Sequence, residues 1–365
     1  MKFFIVVIAL YLLANVYLFV RGFNSVPHGA GRIVFSVVFI LLSVTFFGAM
    51  FLEDKMPVKL TSVLQHAGST WLFSFIYLVP IVLLLDLIRL INKYSGFLPD
   101  FFTTNPNARL YVFLSVIGVI VILFIYGIIH YNNPAVEKLE AKTTKNVQQK
   151  QRIVVASDIH LGYTNGIRKL KDFVKIINDQ NPDIVLLCGD TFDRSLRPIK
   201  EKNMVAELKN IKGKVYIISG NHEYYGNREG AFKLFADAGF TVLSDSVAIP
   251  TNDIYIVGRD DRTNKDRKPL NDLVSGLDHN KVIIVMDHQP YHLEEAEQAG
   301  VDFQFSGHTH DGQVFPINLI TNRVYEKAYG YLKKGNTQYY ITSGLGLWGP
   351  HLRIGTRSEI VVLDL

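Results

Sequence analysis

In the stretch FSGHTHDGQ, residues 305–313, His308 and His310 stand two residues apart in a glycine-rich turn. Two histidines in such a turn suit a solvated loop as well as a metal site, so the rest of the chain has to decide between them. Four other stretches carry the same kind of residue. Asp158-Ile159-His160 follows RIVVAS, and Asp190-Thr191-Phe192-Asp193 follows DIVLLCG. Gly220-Asn221-His222-Glu223 follows KVYIIS, and Asp287-His288-Gln289-Pro290 follows KVIIVM. Asp, His and Asn donors, with Cys188 set inside an apolar run, make a mixed oxygen and nitrogen set suited to divalent first-row metals. Asp158, His160, Asp190, Asn221, His288, His308 and His310 are too many donors for one ion. Two ions sharing a carboxylate would use them all, and two metals roughly 3.5–4 Å apart are the usual device for in-line displacement at phosphorus. Such a pair lowers the pKa of bound water and neutralises charge building on the phosphoryl oxygens.

Something must bring these five stretches together. Each follows a short run rich in β-branched residues, and TVLSDS, DIYIVG, QYYITS and EIVVLDL read as further strands. IRKLKDFVKIINDQ, REGAFKLFADAG and YHLEEAEQAG have helical periodicity between them. Several strands are apolar at nearly every position. That predicts an α/β domain whose sheet is covered on both faces, either a sandwich of two sheets with outer helices or a doubly wound sheet. Polar residues gathered at the carboxyl ends of strands lie where α/β sheets place their ligand crevices. Gly189, Gly220 and Gly307 would allow the tight turns that aim the side chains inward.

The set D-x-H, G-D-x-x-D, G-N-H-E, H-x-P and G-H-T-H, in this order over residues 152–365, resembles the calcineurin-like metallophosphoesterase superfamily. VGRDD at 257–261 and the ending GLGLWGPHLRIGTRSEIVVLDL are similar to its membrane-associated bacterial branch, related to lipid-A precursor diphosphatases, and to transmembrane proteins with a metallophosphoesterase domain. The resemblance implies a four-layer αββα sandwich. It also implies one metal held by Asp158, His160, Asp190 and His310 and a second by Asp190, Asn221, His288 and His308, with Asp190 bridging. His222 would contact the phosphate and protonate the leaving oxygen, oriented by Asp193. Asp287 departs from the commoner pattern, in which an apolar or small residue precedes the histidine. It would either support the site or point away.

The remainder of the chain has a different composition. Of its 365 residues 48% are hydrophobic, and the excess lies before residue 134. Runs at 3–20, 33–52, 71–91 and 110–129 approach or exceed the ~20 apolar residues a bilayer-crossing helix needs. The first, MKFFIVVIALYLLANVYLFV, is long for a signal peptide and lacks a clear cleavage site, so it reads as a retained helix. Asp86 and Arg89 stand three apart and would share a helix face as an interfacial anchor or a membrane site. The expected division is a transmembrane helical region at 1–134, a polar linker at 135–151 that extends the last helix and fades into a tether, and the catalytic domain at 152–365.

Four spans put the N-terminus and the large domain on the same side. Lys2, Lys55, Lys59 and the basic residues at 138–152 outweigh Arg21, Arg32, Arg89, Lys93 and Arg109, a bias that favours a cytoplasmic domain on the inner (cell) membrane. The formal net charge of +5 suits an anionic substrate or an acidic membrane surface. Basic residues scattered among acidic ones, with no aromatic stripe, argue against a nucleic-acid groove.

The expected protein is therefore a membrane-anchored hydrolase using two divalent ions, Mn, Fe, Zn or Co, with Mn the metal of choice in vitro. It would act on a phosphomonoester, phosphodiester or diphosphate by a metal-bridging hydroxide, and a lipid-linked substrate is preferred. A nuclease or cyclic-nucleotide phosphodiesterase is the alternative enzyme, and a non-catalytic membrane sensor the alternative of another class. Lesser features are Arg194 and Arg197, offered to phosphate or to solvent, and Asp260 and Asp261, shaping the pocket or capping a turn. The segment INLITNRVYEKAYGYLKKG, residues 317–335, lies against lipid headgroups or forms an ordinary flap.

Overall fold

The computed structural model describes residues 2–365, which divide into two units, Met1–Tyr126 and Gly127–Leu365. In the first unit, long apolar runs form the helices Lys2–Phe23, Ala30–Phe51 and Val58–Ser95, the last carrying Pro80 in its interior, and the helix Ala108–Tyr131 begins there. All four are long and apolar enough to cross a membrane. A 22-residue helix is about 33 Å long, the thickness of a bilayer's hydrocarbon core.

The third helix has 38 residues and overruns the expected span on both sides. Its run continues from Pro57 to Gly96, whose left-handed conformation ends it. At Gly68 a β-carbon would stand 2.4 Å from the Phe46 backbone nitrogen, so the second and third helices touch backbone to backbone there. Asp86 accepts from Arg21 at 2.7 Å, Arg89 at 3.1 Å and the Tyr17 hydroxyl at 2.7 Å. The pair expected on one helix face thus clasps the first helix to the third.

The second unit contains twelve strands: β1 Ala135–Glu140, β2 Arg152–Ala156, β3 Ile184–Cys188, β4 Lys214–Ile218, β5 Thr241–Val242, β6 Ser246–Thr251, β7 Ile254–Gly258, β8 Val282–Met286, β9 Phe303–Ser306, β10 Gly330–Lys334, β11 Thr337–Ile341 and β12 Glu359–Asp364. They form two sheets, ordered β1-β12-β2-β3-β4-β5 and β10-β11-β9-β8-β7-β6. β2 to β5 are mutually parallel in the first, and β7, β8, β9 and β11 in the second.

Ile153, Val155, Leu186 and Ile218 of the first sheet pack against Ile256, Ile284, Phe303 and Phe305 of the second. The other face of the first sheet, with Val154, Val185 and Ile217, is covered by Leu170, Phe173, Val174 and Ile177 of the helix Ile167–Asn178. The outer face of the second sheet, with Val257, Ile283 and Val285, meets Leu270, Val274, Leu293 and Ala296. Strands apolar at every position therefore lie between two covered faces, and of the two expected architectures the four-layer sandwich is the one that forms.

Residues 135–140 correct the expected helix extension. They form β1, parallel to β12 from Ala135↔Glu359 to Glu140↔Asp364. AVEKLE is too polar to announce a strand, but the edge of β12 offers backbone partners that water would otherwise have to supply. No helix follows: residues 141–151 run along the second sheet, where Lys145 pairs with Asp302 at 2.6 Å and the Lys142 amide donates to Gln338. β6 and β10 also lay outside the sequence expectation. Both are edge strands, half-exposed, and β6 contains Pro250.

Candidate metal centre

The loops that leave β2, β3, β4, β8 and β9 carry the residues singled out above. Asp158 and His160 follow β2, Asp190 and Asp193 follow β3, and Asn221 and His222 open the helix Asn221–Tyr225 after β4. His288 follows β8, and His308 and His310 follow β9. Five of these residues hold the left-handed conformation that non-glycine residues rarely adopt: Asp158 (φ 55°), His160 (49°), Asp190 (49°), His308 (71°) and His310 (51°). Such backbone persists only where the surroundings over-determine it, and it clusters at functional sites.

The side chains converge. The Asp190 Oδ2 atom lies 3.1 Å from His288 Nε2 and 3.8 Å from His160 Nε2, so one carboxylate oxygen faces both sheets. On one side of it, His160 Nε2 and His310 Nε2 are 3.1 Å apart, and Asp158 Oδ1 is 3.5 Å from His310 Nε2. On the other, Asn221 Oδ1 is 3.2 Å from His288 Nε2, and His308 joins Asp190 and His288 within 4.8 Å. Asp158, His160 and His310 form an equally tight group. Close approach needs glycine at two points. A β-carbon on Gly307 would stand 2.2 Å from Asp158 Oδ2, and one on Gly189, itself at φ +89°, 2.6 Å from His288 Nδ1. His222 stands beside these groups, its ring 4.5 Å from that of His160 and its Nδ1 2.7 Å from Asp193 Oδ1.

Charge follows from this geometry. Burial lowers His160 to about 3 and, with the His288 charge, His308 to about 4; burial and Arg353 also hold His310 well below its ordinary value. Neutral imidazoles offer lone pairs. Burial would lower His288 too, but the Asp190 charge and hydrogen bond lift it well above the usual range. Asp190 is driven up by burial and pulled down further by His288 and His222, ending well below an ordinary carboxyl. His222, despite burial, is raised to about 9 by Asp190 and Asp193.

Two supporting residues, Glu223 and Arg353, had no role assigned from sequence. The Glu223 carboxylate accepts the backbone N–H groups of Asp190 (3.1 Å), Phe192 (2.9 Å) and Gly220 (2.7 Å), tying the β3 and β4 loops together. It closes the G-N-H-E block, and its place three residues after Gly220 is a helix-capping spacing. Glu223→Gln puts an N–H₂ group against backbone donors, and metal affinity measured by calorimetric titration is expected to fall about 10- to 100-fold.

Arg353 is fully buried and donates to the carbonyls of His310 (2.7 Å), Ser343 (2.6 Å) and Gly344 (3.1 Å). Backbone acceptors leave no mark in sequence. Asp260 accepts from the Ser219 and Tyr224 hydroxyls at 2.9 and 2.7 Å, so it braces the segment that carries Asn221 and His222. Asp261 accepts from Gln289 Nε2, next to His288. Asp287 turns to Arg259 and Arg267 at 2.9 and 3.0 Å, and Arg197 pairs with Glu201 at 2.7 Å.

The donor set fits a pair of divalent cations. Two imidazole nitrogens face each other beside a carboxylate, and the Nδ1 atoms of His160 and His310 are buried without a hydrogen-bond partner. Aspartate, asparagine and histidine together accept first-row divalent ions.

Comparison with known proteins agrees. The family described as calcineurin-like phosphoesterase matches residues 151–312. An uncharacterized metallophosphoesterase of Campylobacter jejuni is 28% identical over 371 residues, covering 99% of this chain and 97% of that protein. A transmembrane protein with metallophosphoesterase domain from Danio rerio is 28% identical over 368 residues, 94% of this chain and 82% of that one. An uncharacterized metallophosphoesterase of Aquifex aeolicus is 30% identical over 242 residues, 63% of this chain and 91% of its own length.

Proposed function

This chain belongs to the calcineurin-like phosphoesterases, and from that premise we propose that it is a membrane-anchored dinuclear-metal hydrolase of phosphomonoesters, phosphodiesters or diphosphates, with a lipid-linked substrate preferred. The observation that carries the reading is the placing of Asp190 Oδ2 between His160 and His288, with four further donors, Asp158, Asn221, His308 and His310, around them. Asp158, His160, Asp190 and His310 would hold one divalent ion, and Asp190, Asn221, His288 and His308 the other. Bound there, the ions would supply an acidified water and offset the charge that gathers on the phosphoryl oxygens.

The chain's own residues do the rest. His222 gives its Nδ1–H to Asp193, which leaves Nε2 to carry a proton to the departing oxygen. Asp190 Oδ1 accepts the His222 backbone N–H at 2.8 Å, so the same carboxylate that faces the histidines also sets the position of the acid. Glu223 and Arg353 hold the loops that present these groups. The four apolar helices support a membrane location, and the excess of basic residues on the domain's side supports an inner-membrane protein with the domain in the cytoplasm.

The test is made on the full chain purified in detergent. Metal analysis is expected to give two equivalents of divalent ion, and the manganese-loaded protein is expected to hydrolyse p-nitrophenyl phosphate or bis-p-nitrophenyl phosphate and to stop on chelation. Rates on a lipid diphosphate, a cyclic nucleotide and single-stranded DNA then rank the substrates. Failure on both chromogenic esters, with Asn221→Ala changing nothing, would sink the catalytic reading.

A further inference from the structure

Immediately after the loop carrying His308 and His310, the chain forms the helix Ile317–Val324. It is seated on that loop: a β-carbon on Gly312 would meet the Asn318 backbone nitrogen at 2.4 Å, and Gly312 has φ +70°. This accounts for Gly312, since a β-carbon there would push against the start of the helix. At the helix's far end Tyr325 sets its ring edge-on to His308 at 6.2 Å and its hydroxyl 3.1 Å from that of Tyr291. Both ends of the helix thus touch the metal-centre loops.

Its outward side is apolar. Leu319, Ile320 and Val324 are 59%, 58% and 58% exposed, and Phe315, just before the helix, 49%. Leu319, Ile320, Arg323 and Val324 recur at the three- and four-residue spacing of one helix face. The segment is also basic: residues 315–335 contain Arg323, Lys327, Lys333 and Lys334 against a single carboxylate, Glu326, which pairs with Lys334 at 2.9 Å. Large exposed apolar side chains in a segment with an excess of basic residues are the composition of an interfacial helix, which lays its apolar side into the headgroup boundary and its charges against anionic lipid. The same chain carries four helices able to cross a bilayer, which argues for a lipid surface as the occupant of this apolar side.

We infer that the helix Ile317–Val324 docks on an anionic lipid surface and takes amphiphilic substrates from it to the metal centre, through Tyr325 and Tyr291. The docking stands on the exposed helix alone; the delivery of substrate rests on the phosphoesterase reading.

The experiment separates the two. Leu319→Cys and, as a control, the exposed Lys233→Cys are made in the full chain, labelled with an environment-sensitive fluorophore and placed in nanodiscs of phosphatidylcholine and phosphatidylglycerol. Cys188 is buried and escapes the label. Brominated acyl chains are expected to quench the label at 319 about twofold or more and to leave that at 233 unchanged, as insertion roughly 5–10 Å into the headgroup boundary requires. Water-like emission at 319, or a shielded label that bromine does not reach, overturns the docking.

In the same nanodiscs Leu319→Asp with Ile320→Asp is expected to raise KM for a lipid phosphoester about tenfold or more, given the apolar area the two residues would bury. kcat on p-nitrophenyl phosphate should stay unchanged. An equal loss on both substrates, or none, overturns the delivery step. Absence of any hydrolysis by the parent chain fails the phosphoesterase reading and with it the delivery step, and leaves the quenching result to stand on its own.

Discussion

Replacing Asp190 by asparagine is expected to lower kcat/KM by more than about 10³-fold, because a lost dication costs several kcal/mol of transition-state stabilisation. Asparagine keeps an oxygen for the His222 backbone N–H, now 2.8 Å from Asp190 Oδ1, so the local fold has a reason to survive. What disappears is the negative charge that Oδ2 presents to His160 and His288. The loss should therefore appear as metal content, read by elemental analysis at fixed protein concentration, before it appears as unfolding. A variant that retained two metal equivalents and ordinary rates would show that Asp190 is not the shared ligand.

His222→Gln is expected to behave in the opposite way. Its side chain lies beside the donor groups and is held by Asp193, so metal content should stay at the parent level while kcat falls about 10²- to 10⁴-fold, the usual contribution of a positioned acid. The decisive comparison is between leaving groups. p-Nitrophenolate leaves without help, whereas an alkoxide needs a proton, so the loss should be much larger on an alkyl phosphate than on p-nitrophenyl phosphate. Equal losses on both would remove His222 from the acid's role. Asp193→Asn should weaken the same step by a smaller factor, about 10- to 100-fold, since it disturbs the orientation of the imidazole and keeps the imidazole itself.

The candidate centre was legible in sequence because the residues that gather there do so through their side chains, and side-chain type survives in a one-dimensional string. His308 and His310 became informative once four other strand ends offered the same chemistry. The two-sheet core was legible for a related reason: IVLLC and VIIVM leave no polar face for water. Other features hide because their partners are backbone atoms or lie far along the chain. Arg353 works by donating to carbonyls, and any residue type could supply those. β1 is a strand only because β12 lies beside it, more than two hundred residues later. Gly220 and Gly307 were expected as turn formers, yet their φ values are not positive. Their need is for space, since an added β-carbon would come within 2.2 Å of Asp190 Oδ1 or Asp158 Oδ2.

The placing of β12 between β1 and β2 also sets an order of events during synthesis. Arg152 waits for Asp364, a partner 212 residues further on, before the first sheet can close around its centre. Arg353, which donates to the His310 carbonyl, and Gly346, whose N–H donates to the Asp158 carbonyl, arrive in the same late stretch. At ribosomal speeds of about 5–20 residues per second, the half-made domain stands open for roughly ten seconds or more with the inner edge of β2 unpaired. Closure at such sequence separation is also slow. A nascent domain of this kind is a natural client for chaperones, and the loop that carries His310 goes without its Arg353 brace until nearly all of the domain has been made.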